Sequence, residues 1–359
     1  MNKNRYCVIM AGGVGSRFWP VSRSTRPKQF LDILGTGKTF IRQTFERFLP
    51  LVPVENFLVV THANYKELVQ AELPELADDQ ILLEPIGRNT APCVAYASFK
   101  LKMKNPGASM VVTPSDHLVI NQHEFEKVIG EGFDFSERHH SLVTIGIEPS
   151  RPDTGYGYIQ IDTKDQIGTL NRVKTFTEKP TLDVAKVFVE SGEFFWNSGI
   201  FIWRVEDIIK EFYQHLPELN QLFSSILQDY NTPHEREAIE QIYPECRNIS
   251  IDYGIMEKAE NVYVRCADFG WSDIGTWNSL YQHSEKDPQG NVLSGDVMAY
   301  DTKNTIVRVP QGKLGVVQGM EDYIVVDTGD VLMICRRDEE QNIRRFVEDV
   351  RQKKGGEFI

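Results

Sequence analysis

A glycine-rich loop followed by a run of cations is the part of this sequence with the clearest chemical potential. Residues 11–30 read AGGVGSRFWPVSRSTRPKQF, and they directly follow an apolar run at residues 6–10 that predicts a strand. Gly12, Gly13 and Gly15 lack a Cβ atom, so backbone N–H groups can approach an anion closely there. Because open α/β sheets bind ligands at the carboxyl ends of their strands, the loop predicts an anion site at that edge.

The cations of this segment suit a polyanionic ligand. Residues 1–31 hold six basic side chains and no acidic one, whereas the other 328 residues hold 33 basic and 51 acidic ones. Arg17 and Lys28 bring full charges next to the loop. At about 4 Å and an effective dielectric of about 20, a pair of opposite unit charges gains roughly 4 kcal/mol before desolvation. A tight turn with solvated arginines is the alternative, and the absence of acids favours the anion site.

Two familiar phosphate motifs are excluded. The dinucleotide fingerprint G-x-G-x-x-G fails because Phe18 stands where the third glycine is required. The Walker pattern fails at residues 35–39, GTGKT, because Asp32 stands where its first glycine should be. The loop is therefore of another kind.

Composition and charge exclude several classes of protein. Of the 359 residues, 41% are hydrophobic and 25% are charged, which is typical of a folded globular chain. No apolar run approaches the roughly 20 residues of a membrane-spanning helix, and the N-terminus shows no signal-peptide pattern. The net charge of −12 argues against nucleic-acid binding. Five cysteines without a CxxC pair indicate a reducing compartment. We expect a cytoplasmic protein that binds neither nucleic acid nor a membrane.

Alternating strands and helices must position the loop. The pattern predicts an α/β fold, a Rossmann-like, mostly parallel mixed sheet with helices on both faces. Strands are expected at residues 6–10, 57–60, 81–83, 110–112, 142–147 and 200–203, and helices at 39–49, 90–103, 205–212, 216–227 and 235–242. The Gly-rich and aromatic residues 151–180 predict antiparallel excursions from this sheet.

A second, smaller domain is expected near the C-terminus. The turn-rich sequence SEKDPQG at residues 284–290 marks a boundary, after which short strands are broken by Gly and Asp turns. An apolar stripe at residues 343–350 predicts a final amphipathic helix. We therefore expect a large α/β domain over residues 1–284 and a small all-β domain over residues 290–359 that ends in this helix.

The ordered blocks of the sequence resemble a known family. Residues 11–30 resemble the N-terminal signature of the sugar nucleotidyltransferases, and their Trp-Pro-x-Ser-Arg and Pro-Lys-Gln-Phe parts are similar to the mannose-1-phosphate guanylyltransferase family. Seven further blocks follow in the family's order: EPIGRNTAP (84–92), TPSDHLV (113–119), DTGYGYI (153–159), FTEKP (176–180), WNSGIFIW (196–203), DYGIMEK (252–258) and FGWSDIGTW (269–277). Thr177 departs from the family's usual valine. The sequence ends after the small β domain, so it resembles the short form without a fused isomerase domain.

This resemblance implies an activity and a set of site residues. The activity would be Mg²⁺-dependent transfer of GMP from GTP to mannose 1-phosphate, giving GDP-mannose and pyrophosphate, and the enzyme would be a homodimer. Arg17 and Lys28 would be catalytic, and Asp116 and Asp273 would hold the metal. The nucleotide would be bound by Ala11, Gly12, Gly13, Gly15, Glu84, Asn89 and Ser115, and the sugar phosphate by Gly155, Gly157, Glu178, Lys179 and Asn197.

The chemistry of these residues agrees with such a reaction, although alternatives stay open. Catalysis between two polyanions requires positioning and charge neutralisation, and Mg²⁺ uses one or two carboxylates for that purpose. Asp273 could instead cap the following helix, Asn89 could belong to a capped helix without a ligand, and Glu178 with Lys179 could be a solvated ion pair. Another base, another sugar 1-phosphate or a catalytically silent binding subunit are the alternative functions.

Overall fold

Strands and helices alternate along the chain largely as the hydrophobic pattern predicts. The computed structural model describes residues 2–359. Its strands are β1 Arg5–Met10, β2 Phe57–His62, β3 Ile81–Glu84, β4 Ser109–Pro114, β5 Leu118–Val119, β6 Leu142–Ile147, β7 Gly157–Ile167, β8 Leu170–Glu178, β9 Phe194–Arg204, β10 Val262–Ala267, β11 Trp271–Ser272, β12 Val292–Ser294, β13 Asp296–Tyr300, β14 Ile306–Arg308, β15 Leu314–Gln318, β16 Tyr323–Asp327 and β17 Leu332–Arg336. Its α-helices are α1 Phe40–Phe48, α2 Lys66–Glu72, α3 Thr90–Lys104, α4 Gln122–His139, α5 Leu182–Ser191, α6 Val205–His215, α7 Pro217–Ser225, α8 Glu235–Ile242, α9 Trp277–His283 and α10 Ile343–Lys354.

Two compact units divide the chain. The first contains residues 2–12, Thr44–Ser115 and Val119–Trp271. The second contains Gly13–Gln43, Asp116–Leu118 and Ser272–Ile359, so two segments from the N-terminal half join the whole of residues 290–359. Among the described residues no helix is long and apolar enough to cross a membrane.

A nine-stranded mixed sheet forms the centre of the first unit. The strand order is β3-β2-β1-β4-β9-β6-β10-β8-β7. Neighbours among β1 to β4 are parallel, β9 runs antiparallel to β4 and β6, and β7 pairs antiparallel with β8. Helix α3 packs against β1, β2 and β3, and helix α4 packs against β4, β6 and β9. The predicted α/β fold and the antiparallel excursions are confirmed.

Short strands with parallel pairing form most of the second unit. Strands β12, β14 and β16 pair in parallel, and β13 pairs in parallel with β15, while β17 closes one edge in the antiparallel sense. This arrangement is a small β-helix. Helix α10 buries Ile343 and Val347 in one apolar cluster that also contains Ile306 and Ile324. The predicted final amphipathic helix is confirmed, and its apolar residues pack within this unit.

Candidate active site

Lys28 joins the two aspartates that the resemblance assigns to a metal. It begins a short 3₁₀ turn, Lys28–Phe30, and is only 3% exposed. Its Nζ atom donates to Asp116 Oδ2 at 2.8 Å, to the Asp116 carbonyl at 3.0 Å and to the Asp273 carbonyl at 2.7 Å. Because an ammonium carries three N–H donors, these contacts use all of them. One buried charge therefore contacts the carboxylate of Asp116 and the backbone of Asp273.

The surroundings of this ammonium are aromatic and closely packed. Nζ lies 4.9 Å from the ring centroid of Phe40 and 5.7 Å from that of Phe18. Gly15 adopts φ +70°, and a Cβ atom there would stand 2.6 Å from Cβ of Lys28. Gly15 is thus required both for its left-handed conformation and for the close approach of the lysine.

The carboxyl group of Asp116 is held in its ionised form. Burial raises the pKa of Asp116, but the charges of Lys28 and His117 and the Lys28 hydrogen bond outweigh it and keep that pKa below its ordinary value. The side chain is 29% exposed, so the carboxylate remains reachable by a ligand.

A tight turn presents Asp273. The next residue, Ile274, has φ +40°, a conformation that a β-branched residue rarely adopts, and its side chain is fully buried. The Gly275 N–H donates to Asp273 Oδ1 at 2.8 Å. Helix α9 is capped by Thr276, whose side chain accepts from the Ser279 N–H. The capping alternative for Asp273 is therefore wrong.

The remaining predicted residues of the second unit, Gly13 and Arg17, stand on the same segment as Gly15. Arg17 belongs to a short 3₁₀ turn, Ser16–Phe18, and is partly exposed. A Cβ atom at Gly13 would meet no other described atom within 4 Å, so this glycine borders open space. Arg17 therefore lies two residues after Gly15 in the chain.

In the first unit, Gly12 lies against a buried carboxylate. A Cβ atom on Gly12 would stand 3.0 Å from Glu84 Oε2. Glu84 ends strand β3, is 5% exposed and accepts a hydrogen bond from the Tyr243 hydroxyl at its Oε1 atom. Burial raises the pKa of Glu84 to about 7, although the Tyr243 hydrogen bond lowers it. No motif of the sequence indicated Tyr243 as a partner of Glu84.

Backbone contacts fix Ala11 and Ser115 at the carboxyl ends of neighbouring strands. The Ala11 N–H donates to the Val60 carbonyl at 2.8 Å, and the Ser115 N–H donates to the Met10 carbonyl at 3.1 Å. The Thr61 hydroxyl donates to the Ala11 carbonyl at 2.9 Å. Both predicted residues thus lie where a parallel sheet offers its ligand edge.

Asn89 opens helix α3. Its side chain accepts from the Thr90 N–H at 2.9 Å, and its φ is +68°. The Thr90 hydroxyl accepts from the Ile251 N–H at 2.8 Å, which ties the helix start to a distant segment. The predicted capped helix is present, and Asn89 itself is exposed.

Three predicted sugar-phosphate residues meet across strands β7, β8 and β9. A Cβ atom on Gly157 would stand 2.5 Å from Glu178 Oε1 and 3.5 Å from Asn197 Cβ. Asn197 is fixed by two hydrogen bonds: its Oδ1 accepts from the Gly199 N–H at 3.1 Å, and its Nδ2 donates to Asp252 Oδ1 at 2.7 Å. The missing side chain at position 157 makes this meeting possible.

Lys179 and Gly155 flank this group. Lys179 has φ +47°, its side chain is 63% exposed, and its Nζ atom lies 3.5 Å from Glu178 Oε2. Glu178 is only 15% exposed, so the two residues are not an evenly solvated pair. The Gly155 N–H donates to Asp153 Oδ1 at 2.8 Å. The lysine is therefore the accessible cation of this group.

Asp252 belongs to the same group and has no role predicted from the sequence. It begins a short π-helical turn, Asp252–Met256, within the block DYGIMEK. The block itself was the only signal available, because the partner residue lies 55 positions away.

Comparison with known families defines the class of protein. A family model described as nucleotidyl transferase matches residues 6–290, which contain the mixed sheet and the glycine loop. A second model, described as a MannoseP isomerase/GMP-like beta-helix domain, matches residues 295–350.

Curated relatives and solved structures narrow the class. Mannose-1-phosphate guanylyltransferase of Escherichia coli is 35% identical over 95% of this chain and 74% of that protein. Alginate biosynthesis protein AlgA of Pseudomonas aeruginosa is 36% identical over 96% of this chain and 71% of that protein. A crystal structure described as mannose-1-phosphate geranyltransferase from Thermus thermophilus superposes with a TM-score of 0.87 at 32% identity, covering 97% of this chain and 99% of that one. The chain belongs to the mannose-1-phosphate guanylyltransferase family of nucleotidyl transferases.

Proposed function

We propose that the protein transfers GMP from GTP to α-D-mannose 1-phosphate with Mg²⁺, releasing pyrophosphate and forming GDP-mannose. The observation that carries this proposal is the contact of one buried ammonium, Lys28 Nζ, with both Asp116 and Asp273.

The five cysteines are free thiols, which supports a reducing compartment such as the cytoplasm.

Asp116 and Asp273 would be the protein ligands of a magnesium ion. No group of three or more His, Cys, Asp or Glu side chains among residues 2–359 could hold a metal on its own. Mg²⁺ in nucleotide sites takes one or two carboxylates and completes its shell with phosphate oxygens and water, so Asp116 and Asp273 suffice. When bound, the ion would neutralise charge on the triphosphate.

The chain's own residues would then position two polyanions. An oxygen of the sugar phosphate forms the bond to the α-phosphorus of GTP, the bond from that phosphorus to the bridging oxygen breaks, and pyrophosphate leaves with the electron pair. A phosphate monoester is already ionised at neutral pH, so no general base is needed. Lys28 holds the metal-binding aspartates in place, and Arg17 supplies positive charge to the triphosphate.

The first unit would hold the sugar phosphate and the base. Lys179 is the exposed cation for the phosphate. Glu178 would accept hydrogen bonds from sugar hydroxyls, and the Asn197 amide would donate one to a sugar hydroxyl oxygen. Glu84 would accept from the N1–H and N2–H groups of guanine, and Asn89 lies at the start of a helix whose N–H groups can add to the site.

A substrate panel with pyrophosphate release as the readout tests this function. GTP, ATP, UTP and dTTP are each combined with mannose, glucose and fucose 1-phosphates, with Mg²⁺ and with EDTA. We expect the highest kcat/KM for GTP with mannose 1-phosphate, loss of turnover in EDTA and recovery on adding Mg²⁺. A different preferred pair would contradict the substrate assignment, and full turnover in EDTA would contradict the metal assignment.

Gly157→Ala should weaken binding of the sugar phosphate. The new Cβ atom would stand 2.5 Å from Glu178 Oε1, so Glu178 must move. We expect KM for mannose 1-phosphate to rise about tenfold, as for loss of one charged hydrogen bond, with KM for GTP unchanged. Gly130→Ala is the control, because a Cβ atom there meets nothing within 4 Å. If Gly157→Ala kept the wild-type KM for mannose 1-phosphate, the assignment of Glu178 to the sugar site would be wrong.

We further propose that the protein is a homodimer formed through one face of its β-helix. Met298 is paired with Val316 across β13 and β15. These two residues, Leu314 and Tyr300 are 46–60% exposed on that face. Exposed apolar patches of this kind mark interaction sites. The same strands carry one acid, Asp296, so two copies of this acidic chain can meet there with little charge repulsion.

Sedimentation tests the dimer. We expect a dimer at micromolar concentration, and Val316→Asp should yield monomers because it places a charge at the centre of the face. Lys353→Glu, on the exposed end of α10, is the control and should leave the dimer intact. A monomeric wild-type protein would contradict this proposal.

A further inference from the structure

Asp252 is hydrogen-bonded to Asn197 of the candidate sugar site. The Asn197 Nδ2 atom donates to Asp252 Oδ1 at 2.7 Å, while Asn197 Oδ1 accepts from the Gly199 N–H at 3.1 Å. An amide can satisfy both contacts in one orientation only, because the backbone N–H of Gly199 cannot accept and an ionised carboxylate cannot donate. Asp252 and Gly199 therefore decide which end of the Asn197 side chain is the donor.

The charges around Asp252 bear on that orientation. Burial and the charge of Glu178 raise the pKa of Asp252 to about 6, against the hydrogen bond from Asn197, and Glu257 adds to the rise. The Tyr253 hydroxyl and the Glu257 carboxyl also lie within range of the Glu178 charge. Lys258 is a cation close to Glu257, and Lys179 is a cation close to Glu178. A carboxyl with a pKa of about 6 is still mostly ionised at pH 7. It therefore acts as an acceptor there.

We propose that Asp252 is a positioning residue of the sugar-phosphate site, which fixes the Asn197 amide so that its second Nδ2 proton is donated to a sugar hydroxyl oxygen. This inference rests on the proposed function and adds a residue to its sugar subsite. Asp252 acts through Asn197 rather than on the sugar itself.

Two substitutions of Asp252 distinguish its role as a hydrogen-bond acceptor from the effect of its negative charge. Asp252→Ala removes the acceptor, and we expect KM for mannose 1-phosphate to rise about tenfold while KM for GTP stays unchanged. Asp252→Asn keeps an oxygen that can accept from Asn197, so it should restore KM to within about threefold of the parent. Glu257→Ala is the matched control, since it removes a carboxylate facing Glu178 without touching Asn197, and its KM should not change.

A double-mutant cycle tests whether Asp252 acts through Asn197. Asn197→Ala and the double variant Asp252→Ala/Asn197→Ala should show the same KM for mannose 1-phosphate, because the amide to be oriented is already absent. Additive losses, an unchanged KM in Asp252→Ala, or equal changes in KM for GTP would each overturn the inference. If the parent releases no pyrophosphate from GTP and mannose 1-phosphate, the proposed function fails instead. Thermal midpoints of all variants show whether they fold.

Discussion

Lys28→Met should lower kcat for pyrophosphate release by about 10–100-fold, the usual loss when the partner that holds a metal-binding carboxylate is removed. The parent ammonium spends all three of its N–H donors on Asp116 and Asp273. Methionine keeps a side chain of similar length but offers no donor and no charge. The Asp116 carboxylate and the Asp273 backbone would then lose the group that links them.

Stability should fall together with turnover. Breaking a fully buried ion pair costs about 3–5 kcal/mol, and a smaller loss is expected because the Asp116 side chain is 29% exposed. The folded pKa of Asp116 lies below its ordinary value, so its stabilising contribution is present above that value and is lost as pH falls through the folded pKa. The gap in unfolding free energy between parent and variant should therefore be widest at neutral pH and close in acid.

A second lysine–aspartate pair provides the control. Lys66 contacts Asp78 at 2.8 Å, the same distance as in the buried pair, but the two side chains are 30% and 68% exposed. Lys66→Met should change the unfolding free energy by no more than about 0.5 kcal/mol and leave kcat unchanged. Lys28→Arg keeps the charge but replaces a compact ammonium with a planar fork, so it should fold and still lose turnover. If Lys28→Met kept normal turnover, the role assigned to Lys28 in the catalytic site would be wrong.

Glu84→Gln should raise KM for GTP at pH 8 by about tenfold or more, because a charged acceptor for the guanine N–H groups is replaced by a neutral amide. The carboxyl lies beside Gly12 and accepts from the Tyr243 hydroxyl, so its position is fixed before the nucleotide arrives. Burial is what gives it an unusual titration.

The pH profile of the parent gives the sign of this effect. The pKa of Glu84 is raised to about 7. The carboxyl is therefore about one-tenth ionised at pH 6 and about nine-tenths ionised at pH 8. Since only the ionised form accepts from both guanine donors, KM for GTP should fall about tenfold between those values. In Glu84→Gln this dependence should disappear.

Two controls separate base recognition from support of the loop. Glu67→Gln, an exposed glutamate on α2, should leave both KM and its pH profile unchanged. Inosine triphosphate lacks the N2 amino group, so Glu84→Gln should harm it less than GTP. Equal losses of kcat with GTP and inosine triphosphate would instead mean that Glu84 supports Gly12 and does not bind the base.

The fold of the first unit was largely predictable because its information is local. Strand β6 lies at the residues expected, 142–147, and helix α3 begins at Thr90 as expected. Buried parallel strands are short apolar runs, and amphipathic helices repeat every three or four residues, so both leave a pattern within one segment.

The parallel β-helix was not predicted beyond its short strands. Its register pairs Val292 with Ile306 and Ile306 with Ile324, so successive turns take 14 and 18 residues. Unequal turns leave no fixed repeat in the sequence. Which strands pair, and in which direction, is therefore decided by contacts between turns.

The residue types and their order already define the chemistry available to this protein: a glycine loop, cations without neighbouring acids, and carboxylates at strand ends. The folded structure sets which neighbours each group contacts and how far each is buried. Lys28 meets aspartates 88 and 245 residues away, and the meeting removes all its donors from solvent. Burial moves the pKa of Glu84 to about 7, and Asp252 accepts a hydrogen bond from an amide 55 residues away. Charge state and hydrogen-bond partners depend on desolvation and on neighbours distant in sequence, so no local pattern could specify them.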